Sequence, residues 1–140
     1  MSSSEFKAKA YVKEKCPFSF KFLVFMSEAG LLDRIEIVRM KPQDPTFEAE
    51  KEKLGKRLGK AVTFPTVEVA PGEFQTDSDR LIDRYAAEVG LTPDGQPVLS
   101  FYKQTIFPQL IELLDLRDGR CVFAIESDLV VQEQAWSSAD

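Results

Sequence analysis

The chain has 140 residues, of which 44% are hydrophobic, and it carries a formal net charge of −5 with an isoelectric point near 4.9. This length is sufficient for one domain with its own core. The acidic balance argues against nucleic acids and anionic membranes as partners. There is no histidine and there are only two cysteines, which excludes Cys-His nucleophile pairs, His-ligated metals and a thiolate zinc cage.

The N-terminal residues, Met1 to Glu5, lack the basic and apolar pattern of a secretory signal. The longest apolar run, Phe22 to Met26, is too short to cross a bilayer. We therefore expect a cytoplasmic protein. In that compartment a structural disulfide between Cys16 and Cys121 is not expected, and a regulatory one is the alternative.

The first elements of the chain meet at Cys16, where an extended run from Phe6 to Lys13 gives way to an apolar helix from Pro17 to Gly30. Alternating side chains predict a strand before this junction. Proline suits the first helical position after it. A thiol at a helix start lies beside unpaired N–H groups and the positive end of the helix dipole, which favour the thiolate. A lone cysteine is more often an inert buried residue, but this placement indicates a reactive one.

The spacing Cys16-x-x-Ser19 matches a Cys-x-x-Cys motif whose second thiol is replaced by a hydroxyl. A Cys-x-x-Cys motif beside a βαβ pattern is typical of thioredoxin-like redox proteins. The next strand is predicted from Asp33 to Met40, and a strand-helix-strand unit in one sheet implies a parallel pair. Cys16 would then lie at the carboxyl end of the first strand, where open α/β sheets usually bind ligands.

The helix after Cys16 carries apolar residues on two sides. The first stripe consists of Phe18, Phe22, Phe25, Met26 and Ala29, and the second of Phe20, Leu23 and Val24. A helix apolar on two faces is expected to be buried on two faces. One face should lie on the sheet, and the other should be covered by the C-terminal segment or by another chain.

A second, more polar helix is predicted from Thr46 to Leu58, with Asp44 as its N-cap and Pro45 at its first position. A strand pattern follows from Thr63 to Val69 and contains Pro65, which belongs at a strand start, an edge or a bulge. After the turn at Pro71-Gly72, the residues from Glu73 to Gln75 form a returning strand.

The pair Asp77 and Ser78 begins a third helix that ends at Gly90. Capping is the simplest role for this pair, although a helix start with serine can also hold a carboxylate. The remaining chain predicts a helix from Leu99 to Leu116 with a kink or break at Pro108, then a turn from Arg117 to Arg120. A short strand is predicted from Cys121 to Ile125, and Trp136 is expected to pack back on the rest of the chain.

Three motifs, taken in order, resemble those of one family. Cys16-Pro17-Phe18-Ser19 looks like the active-site motif of cysteine-type glutathione transferases such as the omega class, dehydroascorbate reductases and chloride intracellular channel proteins. Thr63-Phe64-Pro65 resembles the Thr-Val-Pro of glutaredoxins, and Asp77-Ser78-Asp79 resembles the acidic-Ser motif of the transferases. The resemblance covers Phe6 to Leu91, the length of the N-terminal domain of these proteins.

The resemblance implies an α/β, thioredoxin-like fold of βαβ, then α, then ββα, in residues 5–91. Residues 92–140 would form a short, mainly helical C-terminal extension that packs on the first helix. Pro65 would be a cis-proline facing Cys16, and the backbone of Phe64 would pair with the cysteinyl part of glutathione. Ser78, with Asp77 nearby, would hold the γ-glutamyl end.

The function implied is that of a glutathione-dependent thiol-disulfide oxidoreductase with a monothiol Cys16, in which Pro17, Phe18 and Ser19 complete the catalytic motif. Glutathione and a thiol or disulfide substrate would be its partners, and no metal is expected. A glutathione S-transferase acting on small electrophiles and a non-catalytic interaction module, with a homodimer as one option, are the alternatives.

Three features depart from the family pattern, the first being the loop from Gly59 to Phe64 before Pro65, which is longer than the usual transferase spacing. The family's long helical second domain, which supplies the second-substrate pocket, has only residues 92–140 as its counterpart. The glycyl carboxylate of glutathione has no obvious partner, although Lys56, Arg57 or Lys60 could serve.

Overall fold

The computed structural model describes residues 6–118, with side chains as far as Leu114. The strand predicted from Cys121 to Ile125 and the docking of Trp136 lie outside these residues. The chain divides into two compact units, of which the first ends at Ser100 and the second starts at Phe101.

Four strands form one mixed sheet in the first unit. They are β1 (Ala8–Lys13), β2 (Ile35–Met40), β3 (Thr66–Ala70) and β4 (Glu73–Thr76), and their order across the sheet is β2-β1-β3-β4. Strand β1 is parallel to β2 and antiparallel to β3, and β3 and β4 form an antiparallel hairpin. The predicted parallel pair, the hairpin and the α/β class are therefore confirmed.

Three helices connect and follow these strands: α1 (Pro17–Glu28), α2 (Phe47–Leu58) and α3 (Ser78–Val89). Short 3₁₀ turns at Leu32–Arg34 and Pro93–Gly95 precede β2 and α4 (Pro97–Phe101). Helix α3 ends where predicted, because Gly90 adopts a left-handed conformation at φ 71° that other residues rarely adopt.

The core lies where α1 and α3 pack on one face of the sheet. Its fully or almost fully buried members include Ala10, Phe22, Phe25, Met26, Val67, Leu81 and Ile82. Leu99, which follows α3 by a turn and belongs to α4, also lies in this core with none of its surface exposed. The chain entering α4 is held by Glu28 at the end of α1, whose carboxylate accepts the N–H groups of Val98 and Leu99 at 2.8 and 2.9 Å.

The second apolar stripe of α1 is more exposed than the first within the described part of the chain. Phe20 is 54% exposed, and Leu23 and Val24 are only partly buried. They line an open groove of about 400 Å³ whose other apolar walls are Leu32, Ile37 and Val98. The cover expected for this face, the C-terminal segment or another chain, lies outside the described residues, so its burial stays a prediction.

The predicted start of α2 was also wrong. The helix begins at Phe47, with Thr46 in the capping position, and Pro45 precedes it. Asp44 does not cap the helix, because its carboxylate instead accepts the N–H of Thr46 at 3.2 Å and the hydroxyl of Thr46 at 3.0 Å. The bond from the backbone N–H and then that from the hydroxyl lower the pKa of Asp44 below its usual value.

In the second unit, the helix predicted around Pro108 is continuous. A π-helical turn at Tyr102–Ile106 joins α4 to α5 (Phe107–Asp118). Proline cannot donate the helical N–H bond and crowds the preceding turn, and a widened turn accommodates this without a break. Helix α5 continues to Asp118, so the first residues of the turn predicted from Arg117 to Arg120 are helical instead.

None of the helices in the described part of the chain combines the length and the apolar composition that a bilayer crossing requires.

Candidate functional site

Cys16 lies at the N-terminus of α1, in the capping position, with an extended backbone at φ −103° and ψ 116°. The turn that brings the chain from β1 to this position includes Lys15, whose φ is 67°. The sulfur of Cys16 accepts the backbone N–H of Ser19 at 3.4 Å. The thiol therefore lies at the helix start that the sequence predicts, with a backbone donor directed at it.

The sulfur of Cys16 also lies beside the loop that precedes β3. The thiol donates to the carbonyl oxygen of Phe64 at 3.8 Å. The peptide bond between Phe64 and Pro65 is cis, which confirms the expectation drawn from the family resemblance. Cys16 itself is only 4% exposed. The fold thus brings together a thiol and a cis-proline loop that are far apart in the sequence.

Ser19 contributes to the site through its backbone and to the scaffold through its side chain. Its hydroxyl accepts the N–H of Lys13 at 3.2 Å, which joins the start of α1 to the end of β1. Ser19 is 3% exposed. The hydroxyl that occupies the place of a second thiol is therefore engaged with the strand.

Lys21 is a residue of this region that sequence reasoning missed. It is 4% exposed, and its Nζ lies 2.9 Å from Oδ1 of Asp79 in the first turn of α3. The same Nζ lies 5.7 Å from the ring centroid of the half-buried Phe18, while Pro17 is buried at the first position of α1. A lysine inside an apolar helix pattern was the signal that could have identified it, because buried lysines require partners.

Asp77 and Ser78 form the start of α3. The carboxylate of Asp77 accepts the N–H groups of Asp79 at 3.0 Å and Arg80 at 3.4 Å, which confirms the predicted capping role. The backbone of Asp77 has a φ of 78°. Ser78 is 4% exposed, and among the described residues its hydroxyl has no hydrogen-bond partner. The N–H groups of Asp79 and Arg80 are engaged by Asp77, and the helix dipole and the hydroxyl of Ser78 are the features of this helix start that suit a carboxylate.

The two helix starts are connected, although in the described part of the chain no hydrogen bond joins Cys16 to Ser78. The ion pair between Lys21 and Asp79 links the second turn of α1 to the first turn of α3. Cys16, Phe64 and Pro65 therefore form one cluster, and Asp77 and Ser78 form a second at the neighbouring helix start.

Helix α2 contacts the cis-proline loop and the hairpin. The ring of Phe47 lies 6.4 Å from that of Phe64. Arg57 forms an ion pair of 2.9 Å with Glu68 on β3 and lies 5.0 Å from the ring centroid of Phe74. Because Arg57 is engaged with the sheet, the exposed Lys56 and Lys60 are the freer candidates for a carboxylate ligand.

Glu68 is almost completely buried, at 6% exposure, and receives two donors. Burial raises the pKa of Glu68. The N–H of Gly72 at 2.9 Å and the guanidinium of Arg57 lower it by more, with a smaller contribution from the charge of Lys9, so that the pKa lies below its usual value.

Among the described residues, no group of three Asp, Glu or Cys side chains is arranged to hold a metal ion.

The chain was compared with known proteins. No protein-family model matches it, and no curated protein matches it significantly. A solved structure of a possible glutathione S-transferase from Rhodopseudomonas palustris matches 93% of this chain at 17% identity with a TM-score of 0.51. Glutathione transferase Omega 2C from Trametes versicolor matches 92% at 15% identity and 0.46, and Gtt2 from Saccharomyces cerevisiae matches 78% at 16% identity and 0.44.

This chain spans 62%, 61% and 50% of the lengths of those three proteins, in that order. At such identities the likeness concerns the fold, and the first of the three carries that comparison. Together with the sheet order and the cis peptide bond, it shows that the chain has the mixed α/β, thioredoxin-like fold of glutathione transferase structures.

Proposed function

We propose that this protein is a glutathione-dependent thiol-disulfide oxidoreductase with a monothiol mechanism, in which Cys16 is the nucleophile. The observation that carries this proposal is the position of the Cys16 sulfur, which accepts the N–H of Ser19 and lies against the carbonyl before Pro65. A backbone donor and the positive end of a helix stabilise negative charge on sulfur. Pro17 and Phe18 complete the turn that holds the thiol in this position.

The reaction follows from thiol-disulfide exchange. The Cys16 thiolate attacks the glutathione sulfur of a glutathionylated substrate, so that a Cys16–glutathione disulfide forms and the substrate leaves as a thiolate. A glutathione thiolate then attacks the glutathione sulfur of this mixed disulfide, which releases oxidised glutathione and restores the Cys16 thiolate. Because Ser19 is not a thiol, the resolving thiol comes from a second glutathione.

Glutathione would extend from Cys16 to the start of α3. Its cysteinyl part would pair with the backbone of Phe64, and its γ-glutamyl carboxylate would accept a hydrogen bond from the hydroxyl of Ser78 at the positive end of α3. Asp77 would receive the γ-glutamyl ammonium with Oδ2, since both capping bonds end on Oδ1. Lys56 or Lys60 would bind the glycyl carboxylate.

The proposed setting is a reducing cytoplasm, where reduced glutathione resolves the mixed disulfide. The proposed partners are glutathione and a protein or small-molecule disulfide. The choice of glutathione follows the likeness of the fold to structures named as glutathione transferases.

One observation favours a second candidate, a non-catalytic interaction module. The groove beside Phe20 exposes apolar side chains, and large apolar patches often mark interaction sites. The low exposure of Cys16 fits this reading as well, because buried cysteines are commonly inert.

Intact-mass measurement after brief incubation with oxidised glutathione separates the two candidates. Wild type is compared with Cys16→Ser and with Cys121→Ser, which removes the other cysteine, across a pH series from about 5 to 9, centred on the ordinary thiol range. The oxidoreductase should gain one glutathione at Cys16, still rapidly at neutral pH, and Cys121→Ser should behave like wild type. No adduct, or one that survives Cys16→Ser, would eliminate the oxidoreductase and leave the interaction module.

A further inference from the structure

Lys21 is a charged residue in an almost fully buried position on α1. Its side chain is 5% exposed, whereas the side chain of its partner Asp79 is 66% exposed. An ammonium group loses its hydration on burial, and this loss is tolerated when a carboxylate compensates it closely. The distance of 2.9 Å between Nζ and Oδ1 of Asp79 provides that compensation. The ring of Phe18 adds a weaker attraction from 5.7 Å.

The two ends of this ion pair lie near the starts of their helices, Lys21 in the second turn of α1 and Asp79 in the first turn of α3. Lys21 lies in α1 shortly after Cys16, and Asp79 immediately follows Ser78 in the first turn of α3. The N–H of Asp79 also donates to the capping carboxylate of Asp77. A displacement of Asp79 would therefore move the capped turn that carries Ser78.

We propose that Lys21 is a positioning residue that sets the separation between the Cys16 thiol and the carboxylate-binding start of α3. This inference rests on the proposed function, in which one glutathione molecule spans both places. The ion pair holds the two helix starts in register, so that the sulfur of a bound glutathione reaches Cys16 when its γ-glutamyl end lies at Ser78. A small thiol reagent that does not use Ser78 has no need of this register.

The test compares two reactions of the same thiol in Lys21→Met. The rate of mixed-disulfide formation is measured as a function of the concentration of oxidised glutathione, which gives the half-saturating concentration and the maximal rate separately. The rate of alkylation of the same thiol by iodoacetamide is measured in parallel. We expect half-saturation to rise about tenfold, since errors of position near 1 Å cost large factors. Alkylation should change less than about twofold, because iodoacetamide makes no use of the start of α3.

Two further variants keep the result interpretable. Lys21→Arg retains the charge and should return half-saturation to within about threefold of wild type, since a guanidinium also pairs with a carboxylate. Lys53→Met makes the same chemical change at a 75% exposed lysine whose Nζ lies 4.0 Å from Glu50, and should leave both reactions unchanged. Thermal unfolding shows whether each variant is folded; the Asp79 carboxylate that Lys21→Met leaves behind is 66% exposed and stays hydrated, so no buried charge is left unpaired.

The reaction of the wild type with oxidised glutathione distinguishes failure of the proposed function from failure of the positioning role of Lys21. If wild type forms the adduct and Lys21→Met matches it in half-saturation, Lys21 has no positioning role and the inference is overturned while the proposed function stands. Parallel losses in both reactions would also overturn it, because they indicate general damage to the thiol site. If wild type takes up no glutathione at Cys16, the proposed function fails and the positioning role fails with it. If Lys21→Met is unfolded, Asp79→Asn, at an exposed side chain, is measured in its place with the same expected result.

Discussion

Ser19 provides two separate groups to the region around Cys16. Its N–H donates to the sulfur, while its hydroxyl accepts the N–H of Lys13. A Cys-x-x-Ser motif read from sequence alone suggests only that a second thiol is missing. In the structure the hydroxyl has a separate structural role, because its hydrogen bond joins the start of α1 to the end of β1.

Ser19→Ala should therefore lower stability without abolishing the reaction of Cys16. We expect the free energy of unfolding to fall by about 1–3 kcal/mol, because the buried N–H of Lys13 loses this acceptor. The N–H of residue 19 remains, so the glutathione adduct should still form. Urea unfolding and intact mass measure the two effects, and loss of the adduct in a folded variant would show that the hydroxyl serves the thiol directly.

Ser78→Ala should have the opposite effects to Ser19→Ala, weakening the interaction with glutathione while leaving stability almost unchanged. Its hydroxyl has no hydrogen-bond partner in the described part of the chain, so its removal should change stability by less than about 0.5 kcal/mol. Half-saturation with glutathione should rise about tenfold, as expected when a hydrogen bond to a charged ligand is lost. Ser27→Ala, at an exposed serine near the other end of α1, is the matched control. Unchanged half-saturation in Ser78→Ala would exclude this serine from the glutathione site.

At the scale of elements, α1 has two apolar faces in different surroundings. Phe22 is completely buried in the core, whereas Phe20 is 54% exposed in the groove. Hydrophobic periodicity identifies both faces but not the neighbours that cover them. The contribution of each phenylalanine to stability follows from burial rather than from residue type.

The pair of variants Phe22→Ala and Phe20→Ala tests this difference within one helix. The first should reduce the free energy of unfolding by about 3–5 kcal/mol, as large cavities in cores do. The second should cost less than about 1 kcal/mol, because the groove leaves much of the ring in water. Urea denaturation measures both, and similar losses in the two variants would show that the face bearing Phe20 is covered in solution.

At the scale of the whole molecule, the sheet is held to α2 by a buried carboxylate. Glu68 on β3 binds Arg57 of α2 and the turn at Gly72. Its pKa is lowered overall, because these donors outweigh the opposing effect of burial. The folded state thus holds this proton less tightly than the unfolded chain, and Glu68 contributes stability above the unfolded pKa that is lost as pH falls through the lower folded pKa.

Glu68→Gln should reveal this contribution in the pH dependence of stability. Wild type should exceed the variant most above about pH 5, where the carboxylate is charged in both states, and the difference should shrink as pH falls below about 4. Urea unfolding from about pH 3 to 7 measures this, with the exposed Glu73→Gln as the matched control. A difference that is constant with pH would contradict the assignment.

Much of the fold was predictable because local signals determine it. Proline after Cys16 and glycine at position 90 mark helix ends through their own backbone preferences, and alternation marks β1. The cis bond before Pro65 was expected from the family resemblance and not from any local preference. The start of α2 was misplaced because the side chain of Asp44 bonds to Thr46 in a turn, which competes with capping.

The rest depended on contacts between distant parts of the chain. The bonds from Cys16 to Phe64 and from Lys21 to Asp79 join separate elements, and no spacing in the sequence specifies them. The exposure of Phe20 likewise depends on what covers this face of α1. The roles of Ser78 and Asp77 toward glutathione, and the domain boundary after Leu91, stay predictions.

The bonds from Glu28 to the chain at Val98 and Leu99 have a practical consequence for protein engineering. A recombinant fragment that stops at Leu91 would discard Leu99, a completely buried core side chain, and would leave the carboxylate of Glu28 without both of these donors. Expression of the sheet-bearing part alone should therefore extend through Ser100, and the shorter fragment should give lower yield and a lower melting temperature.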